Sequence, residues 1–220
     1  MNLDLFDPAD EVRVTAGRLP HWFQPGRLYF ITFRTDDSLP GSVATLWLRQ
    51  RDDWLRRQGI NPQSADWSAQ IERLPAQLRR QFHKTFSEEF LNHLDRGHGE
   101  CVLRRRDLAA IVGEALLHFN KVRYHLTDFV VMPNHVHVLA GLLGNTDLAK
   151  QCTSWKKNAA LGINKVLRRT GRFWHAESFD HLVRSGERFE SLRAYIARNP
   201  TAAGLRDGEY LPWQEGNESG

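Results

Sequence analysis

The stretch VVMPNHVHVLAGL, Val130 to Leu142, decides how this chain is read. It sets two histidines one residue apart in an otherwise apolar run, directly after Pro133 and Asn134. The β-rich residues on both sides of Met-Pro-Asn predict a hairpin, with proline at a turn position and His135 opening the second strand. Residues i and i+2 of a strand share a face. His135 and His137 should therefore project outward side by side, while Val136 and Val138 point into the core. Two adjacent imidazoles can grip one cation. The bland alternative is a pair of partly exposed histidines on an edge strand, and the pair alone does not choose between the two.

Working outward, RLYFITFRT (Arg27 to Thr35) reads as an earlier strand, bounded by Pro25-Gly26 and Asp36-Asp37. From about 40 to 98 the pattern is helical and highly charged, which reads as an insertion. ECVL (Glu100 to Leu103) reads as a short strand. Asp107 to Asn120 has the apolar spacing of an amphipathic helix. Asp147 should cap a helix running to about Arg169, broken near Gly162 and ended by Thr170-Gly171. FDHLVRS (Phe179 to Ser185) is a further strand. GERFESLRAYIARNP (Gly186 to Pro200) is a helix that Pro200 should stop. The remainder, 206–220, is polar and glycine-rich and should be frayed. This order predicts an α+β fold of the ferredoxin-like kind, a split βαβ antiparallel sheet with helices on one face, as one domain over 1–220.

Composition narrows the function. With 220 residues, 41% hydrophobic and seven tryptophans, the chain can bury a substantial core. No apolar run nears the roughly 20 residues of a bilayer span, the acidic start MNLDLFDPADEV lacks the features of a secretory signal, and the two cysteines form no CxxC. A cytoplasmic protein with no membrane partner is expected. Net charge is +4, and Leu148 to Arg172 holds seven bases and no acid. Such a segment attracts a polyanion, nucleic acid above all. Lys150, Lys156, Lys157, Lys165, Arg168, Arg169 and Arg172 are the candidate phosphate contacts. Trp155, beside Lys156 and Lys157, is a candidate stacking surface for single-stranded bases, as is the Phe173-Trp174 pair. Trp22 and Arg34 are weaker candidates. The alternative for the tryptophans is ordinary core. His175 and His181 read as polar surface or phosphate contacts rather than metal ligands.

The last helix supplies what the histidines lack. Phe189, Leu192, Tyr195 or Ile196, and Asn199 fall on one face. If that face lies over the histidine strand, the Tyr195 phenol and the Asn199 amide oxygen meet His135 and His137. Two nitrogens and one oxygen leave metal positions open for substrate oxygens. A phenol beside a metal-bound phosphate is a nucleophile whose target charge is neutralised.

MPNHVHVL, GRFWHAESFDHLVRS and YIARNPTAAGL, together with LPHWFQPGRLYFITFRTDDSLP near the start, closely resemble the REP-associated tyrosine transposases. These are domesticated relatives of the single-strand transposases of small bacterial insertion sequences. The resemblance spans about Arg18 to Leu205. It implies that His135 and His137 are the metal-binding pair, Asn199 the third ligand and Tyr195 the attacking residue. It also implies Mg²⁺ or Mn²⁺, no nucleotide cofactor, and single-stranded DNA hairpins of repetitive extragenic palindromes as substrate, in the bacterial nucleoid. A monomer is expected, the dimer being the alternative. The transposon relatives carry glutamine or a carboxylate-type ligand where this chain has Asn199, so the site should lack a protein anion and favour Mn²⁺. Two other readings stand beside this one. One is a hairpin-binding protein with vestigial catalysis. The other is a metal-dependent hydrolase using water, for which Asp128 and Glu177 are the carboxylates in view.

Overall fold

The computed structural model describes residues 5–7, 10, 13–16 and 20–216. Its centre is a five-stranded antiparallel sheet in the order β6-β3-β5-β4-β7. The strands are β3 (Leu28–Arg34), β4 (Tyr124–Val131), β5 (His135–Leu142), β6 (Phe179–Leu182) and β7 (Leu211–Gln214). A separate two-stranded ribbon, β1 (Arg13–Ala16) and β2 (Pro20–Phe23), precedes them. The first four sheet strands, with helix α5 (Arg106–Leu117) between β3 and β4 and helix α6 (Leu148–Leu167) between β5 and β6, make the split βαβ plan of an α+β fold.

Alternation along each strand divides the core in two. Tyr29, Ile31, Phe33, Val136, Val138 and Ala140 face α5 and α6, where Leu108, Val112, Leu116, Trp155, Ala159 and Ile163 meet them. Leu28, Phe30, Val130 and Leu139 face the other way, toward Leu192 and Ile196 of helix α7 (Gly186–Ala202). The crossover helices thus share one face and α7 covers the other. The insertion forms α1 (Gly41–Arg57), α2 (Trp67–Glu72), α3 (Ala76–Phe82), a π-helical turn (His83–Glu88) and α4 (Glu89–Asp95). Around Trp47, Trp54, Trp67, Ile71, Phe82 and Phe86 it has a core of its own. Phe179 packs against both this cluster and the α7 side of the sheet, so the two are continuous. Among the described residues no helix is long and apolar enough to cross a membrane.

Four expectations need correction. ECVL is not a strand: Cys101 takes a left-handed conformation and Val102–Arg104 form a 3₁₀ turn that drops Leu103 into the core. α6 does not break at Gly162. A Cβ there would lie 2.7 Å from Cγ2 of Ile111, so the glycine serves the close approach of α5 and α6. The helix ends at left-handed Arg168, before Thr170-Gly171. Pro200 does not stop α7, which runs on to Ala202. Only one helical donor is lost there, and Ile196, Asn199 and Pro200 are all buried, which outweighs the penalty on the residue before proline. The segment after Leu205 is not frayed throughout. Leu211–Gln214 pairs with β4, Trp213 stacks on Phe129 with centroids 5.3 Å apart, and Pro212 sits on an edge strand, where its missing donor is tolerated.

Candidate active site

β5 lies at the centre of the sheet. His137 pairs with Thr32 on β3 and Val130 on β4, and His135 pairs with Arg34. Both imidazoles are wholly buried. They do not face out, as the spacing suggested, because α7 and the end of α4 roof the face they share.

Buried imidazoles must satisfy both ring nitrogens. Asn134 fixes the first. Its Nδ2 donates to the carbonyls of Leu94 (3.3 Å) and His98 (2.9 Å), so its Oδ1 is the acceptor, and His135 Nδ1 donates to it at 2.7 Å. In the neutral imidazole, His135 Nε2 is then the atom with the lone pair. That atom lies 3.1 Å from His137 Nε2 and 3.3 Å from a carboxylate oxygen of Asp95. His137 Nδ1 is 2.7 Å from Thr32 Oγ1. Burial, then the neighbouring His135, holds His137 well below the usual imidazole range, so it is neutral. Oriented outer partners of this kind are what fix the tautomer of a metal-ligating histidine.

α7 brings the remaining groups. Ser185 caps it, accepting from the Arg188 amide at 3.1 Å. Leu192 and Ile196 seat the helix on the sheet. Tyr195 Oη reaches 3.4 Å from His137 Nε2, and the phenol edge packs against that imidazole with centroids 5.2 Å apart. Asn199, four residues on, is buried; its Nδ2 donates to Asp95 Oδ1 at 3.1 Å and its Oδ1 has no hydrogen-bond partner. Burial first, then the negative charge of Asp95, pushes the Tyr195 phenol well above its ordinary value. The structure thus brings His135, His137, Tyr195 and Asn199 together.

Sequence reasoning missed Asp95. The expectation of a site without a protein anion is wrong, since this carboxylate at the last residue of α4 lies against His135, Tyr195 and Asn199. The ligand atoms of Asp95, His135 and His137 lie within 4.8 Å of one another. The two carboxylates considered from sequence stand elsewhere in their bonding. Asp128 is held by Arg193 Nε at 3.0 Å, and the Glu177 amide is bonded to His175 Nδ1. The one local signal for Asp95 was its place at a helix end before RGHG (Arg96 to Gly99), a turn in which Gly97 and Gly99 take positive φ.

The donor set fits a divalent cation. A lone pair on His135 Nε2, a neutral His137, a carboxylate and the unpartnered, buried Oδ1 of Asn199 all accept. One shared proton satisfies two acceptors only, whereas a cation suits a mixed nitrogen and oxygen set of this kind.

The basic segment fares differently. Trp155 is 1% exposed and its indole donates to Tyr124 Oη at 2.9 Å, so it is core and offers no face to a base. Phe173 and Trp174 are buried too. Lys156 is occupied: its ammonium donates to the carbonyls of His175 (3.3 Å) and Ala176 (2.6 Å). Arg169 pairs with Glu100 at 3.2 Å and lies over Phe173, and Arg172 pairs with Asp36 at 3.7 Å. The segment has no acid of its own, but folding brings acids to it. Lys150, Lys157, Lys165 and Arg168 remain exposed. α6 packs on the sheet face opposite the histidine pair, so these cations lie away from Tyr195. Arg34 is buried and bonded to Ser38 Oγ at 3.1 Å. The side chain of Trp22 lies outside the described residues.

No family model and no curated protein matches this chain. Among solved structures, a REP-associated tyrosine transposase bound to a REP hairpin is similar, at 14% identity over 84% of this chain and 73% of that one, with a TM-score of 0.45.

Proposed function

We propose that the protein cleaves and rejoins single-stranded hairpin DNA, using a divalent cation and Tyr195 as nucleophile. The observation that carries this is the convergence of two imidazole nitrogens and the Asp95 carboxylate beside a phenol, with the Asn199 amide bonded to that carboxylate. The resemblance of the same residues to the REP-associated tyrosine transposases supplies the substrate class.

His135, His137, Asp95 and Asn199 would hold Mg²⁺ or Mn²⁺, with Mn²⁺ better suited to two imidazoles. When bound, the ion neutralises charge on a phosphodiester and polarises its phosphorus. Asn134 and Thr32 hold the two imidazoles in orientation. α7 holds Tyr195 next to them, its Oη 3.4 Å from His137 Nε2, so nucleophile and ligands share one position. The phenol oxygen bonds to phosphorus, the bond to the 3′-oxygen breaks, and the phenol proton is balanced by one taken up at the 3′-oxygen. A 5′-phosphotyrosyl enzyme and a free 3′-hydroxyl result. The reverse step, with another 3′-hydroxyl, joins strands without a nucleotide cofactor.

The test is incubation with end-labelled DNA hairpins carrying single-stranded flanks, in Mn²⁺, followed by denaturing electrophoresis. A covalent protein–DNA band is expected, absent in Tyr195→Phe while binding persists. Cut product without an adduct would instead favour a hydrolase using water, for which Asp95 is the carboxylate at hand. Binding with neither adduct nor product would favour a hairpin-binding protein.

A further inference from the structure

Beside Tyr195 lies a cavity of about 300 Å³ that the steps above leave unused. Four separate parts of the chain build it: β3 and β6 of the sheet, α7, and the π-helical turn with α4 of the insertion. Its apolar walls are Phe30, Phe179, Leu91 and Leu192. Ser87, Asn92, Ser191 and His181 add hydrogen-bonding groups, and Glu88 contributes a carboxylate. Arg188 and Arg198, both exposed on α7, stand along it, ten residues or roughly 15 Å apart along the helix axis. Among the described residues neither guanidinium has a carboxylate partner. Tyr195 is itself a lining residue.

We propose that this cavity receives one nucleotide of the DNA strand next to the phosphate that Tyr195 attacks, with the base inside and the backbone along Arg188 and Arg198. The inference rests on the strand-cleavage reading and deepens it by naming a base-specificity subsite. Three features carry it. The volume is at the lower end of small-ligand pockets, enough for one nucleotide and too small for a run of them. Aromatic and aliphatic walls with a few polar groups are how an extruded base is held and read. The cations lie on the same helix as the nucleophile, so a backbone following them passes Tyr195. His83 and His181 also line it, their ring centroids 6.1 Å apart. Burial, with help from Arg184 and Arg188, pushes His83 down to about 4 and His181 down to about 3. They are neutral near pH 7 and suited to a base edge, not to a phosphate. The insertion gains a role here, because without the turn and α4 the cavity has no outer wall.

The test is an abasic scan. Hairpins with single-stranded flanks, each lacking one base, are bound to the intact protein without metal. Affinity should fall at one flank position by roughly 5- to 100-fold, the range for losing one stacked base. Ser191→Trp fills the cavity from an exposed helix position, and Ser87→Phe fills it from the insertion side. In either variant, folded by circular dichroism, the sensitive position should become indifferent, while Ser191→Ala keeps the wild-type profile. An unchanged profile in a filled, folded variant would overturn the inference. So would a wild-type scan with no sensitive position. If the Tyr195 adduct forms in either of those cases, the subsite alone is wrong. If the protein binds no single-stranded DNA and forms no adduct, the cleavage reading fails and the subsite with it.

Discussion

Asn134 makes two decisions at once. Its amide spans the backbone of Leu94 and His98 and, through that orientation, sets the tautomer of His135. The histidine spacing, the tyrosine and the asparagine four residues on were legible, because strand and helix periods place such residues on common faces. Asp95 was not, since it lies 40 residues from His135 in sequence and 104 from Asn199, and no local pattern reports a contact of that separation. Trp155 misled for a related reason. Adjacent lysines mark a solvated side of a helix, but the next residue is turned about 100° and can be core. Asp95 also yields a prediction. Asp95→Asn should weaken Mn²⁺ binding by at least about tenfold, measured by electron paramagnetic resonance titration without DNA, while Tyr195→Phe leaves it unchanged. Equal affinity in Asp95→Asn would remove the carboxylate from the ligand set.

Elements were legible where hydrophobic rhythm was regular. The β4–β5 hairpin, α5 and most of α7 follow their period. The errors lie where one residue has two uses. Glycine in a helix reads as a break, yet Gly162 permits contact with Ile111. Proline reads as a stop, yet Pro200 is buried within the last turn of α7. The short edge strand β7 carries a proline and is too brief for its alternation to register. Gly162→Ala separates propensity from packing. Alanine favours a helix by about 0.8–1.0 kcal/mol over glycine. The added methyl falls 2.7 Å from Ile111 Cγ2, and overpacking costs about 1–3 kcal/mol. A net loss of stability is expected in urea melts. In an Ile111→Ala background the same change should stabilise, and a destabilising effect in both backgrounds would mean that the contact is not the cause.

At the scale of the molecule, the split βαβ order was readable, and the purpose of the insertion was not. It walls the site, with Asp95 and Leu94 reaching the histidine strand and His83 stacked edge-on against His181 of β6. That junction makes stability depend on pH. The folded values of His83 and His181, about 4 and about 3, lie below the ordinary 6.5. Between them the unfolded chain binds more protons, so stability is full above about pH 6.5 and is lost as pH falls toward 4 and 3. The urea midpoint should drop from about pH 7.5 to about pH 5, and His83→Gln should flatten that slope. An equal slope in the variant would place the protonation elsewhere. The order of the elements along the chain has its own consequence. A chain emerging from the ribosome carries the histidine pair and Asp95 well before α7. On the proposed mechanism it has a metal cradle with one side open and no attacking group. An unfinished or clipped copy is then harmless to any exposed DNA strand, and the power to cut arrives only when α7 docks.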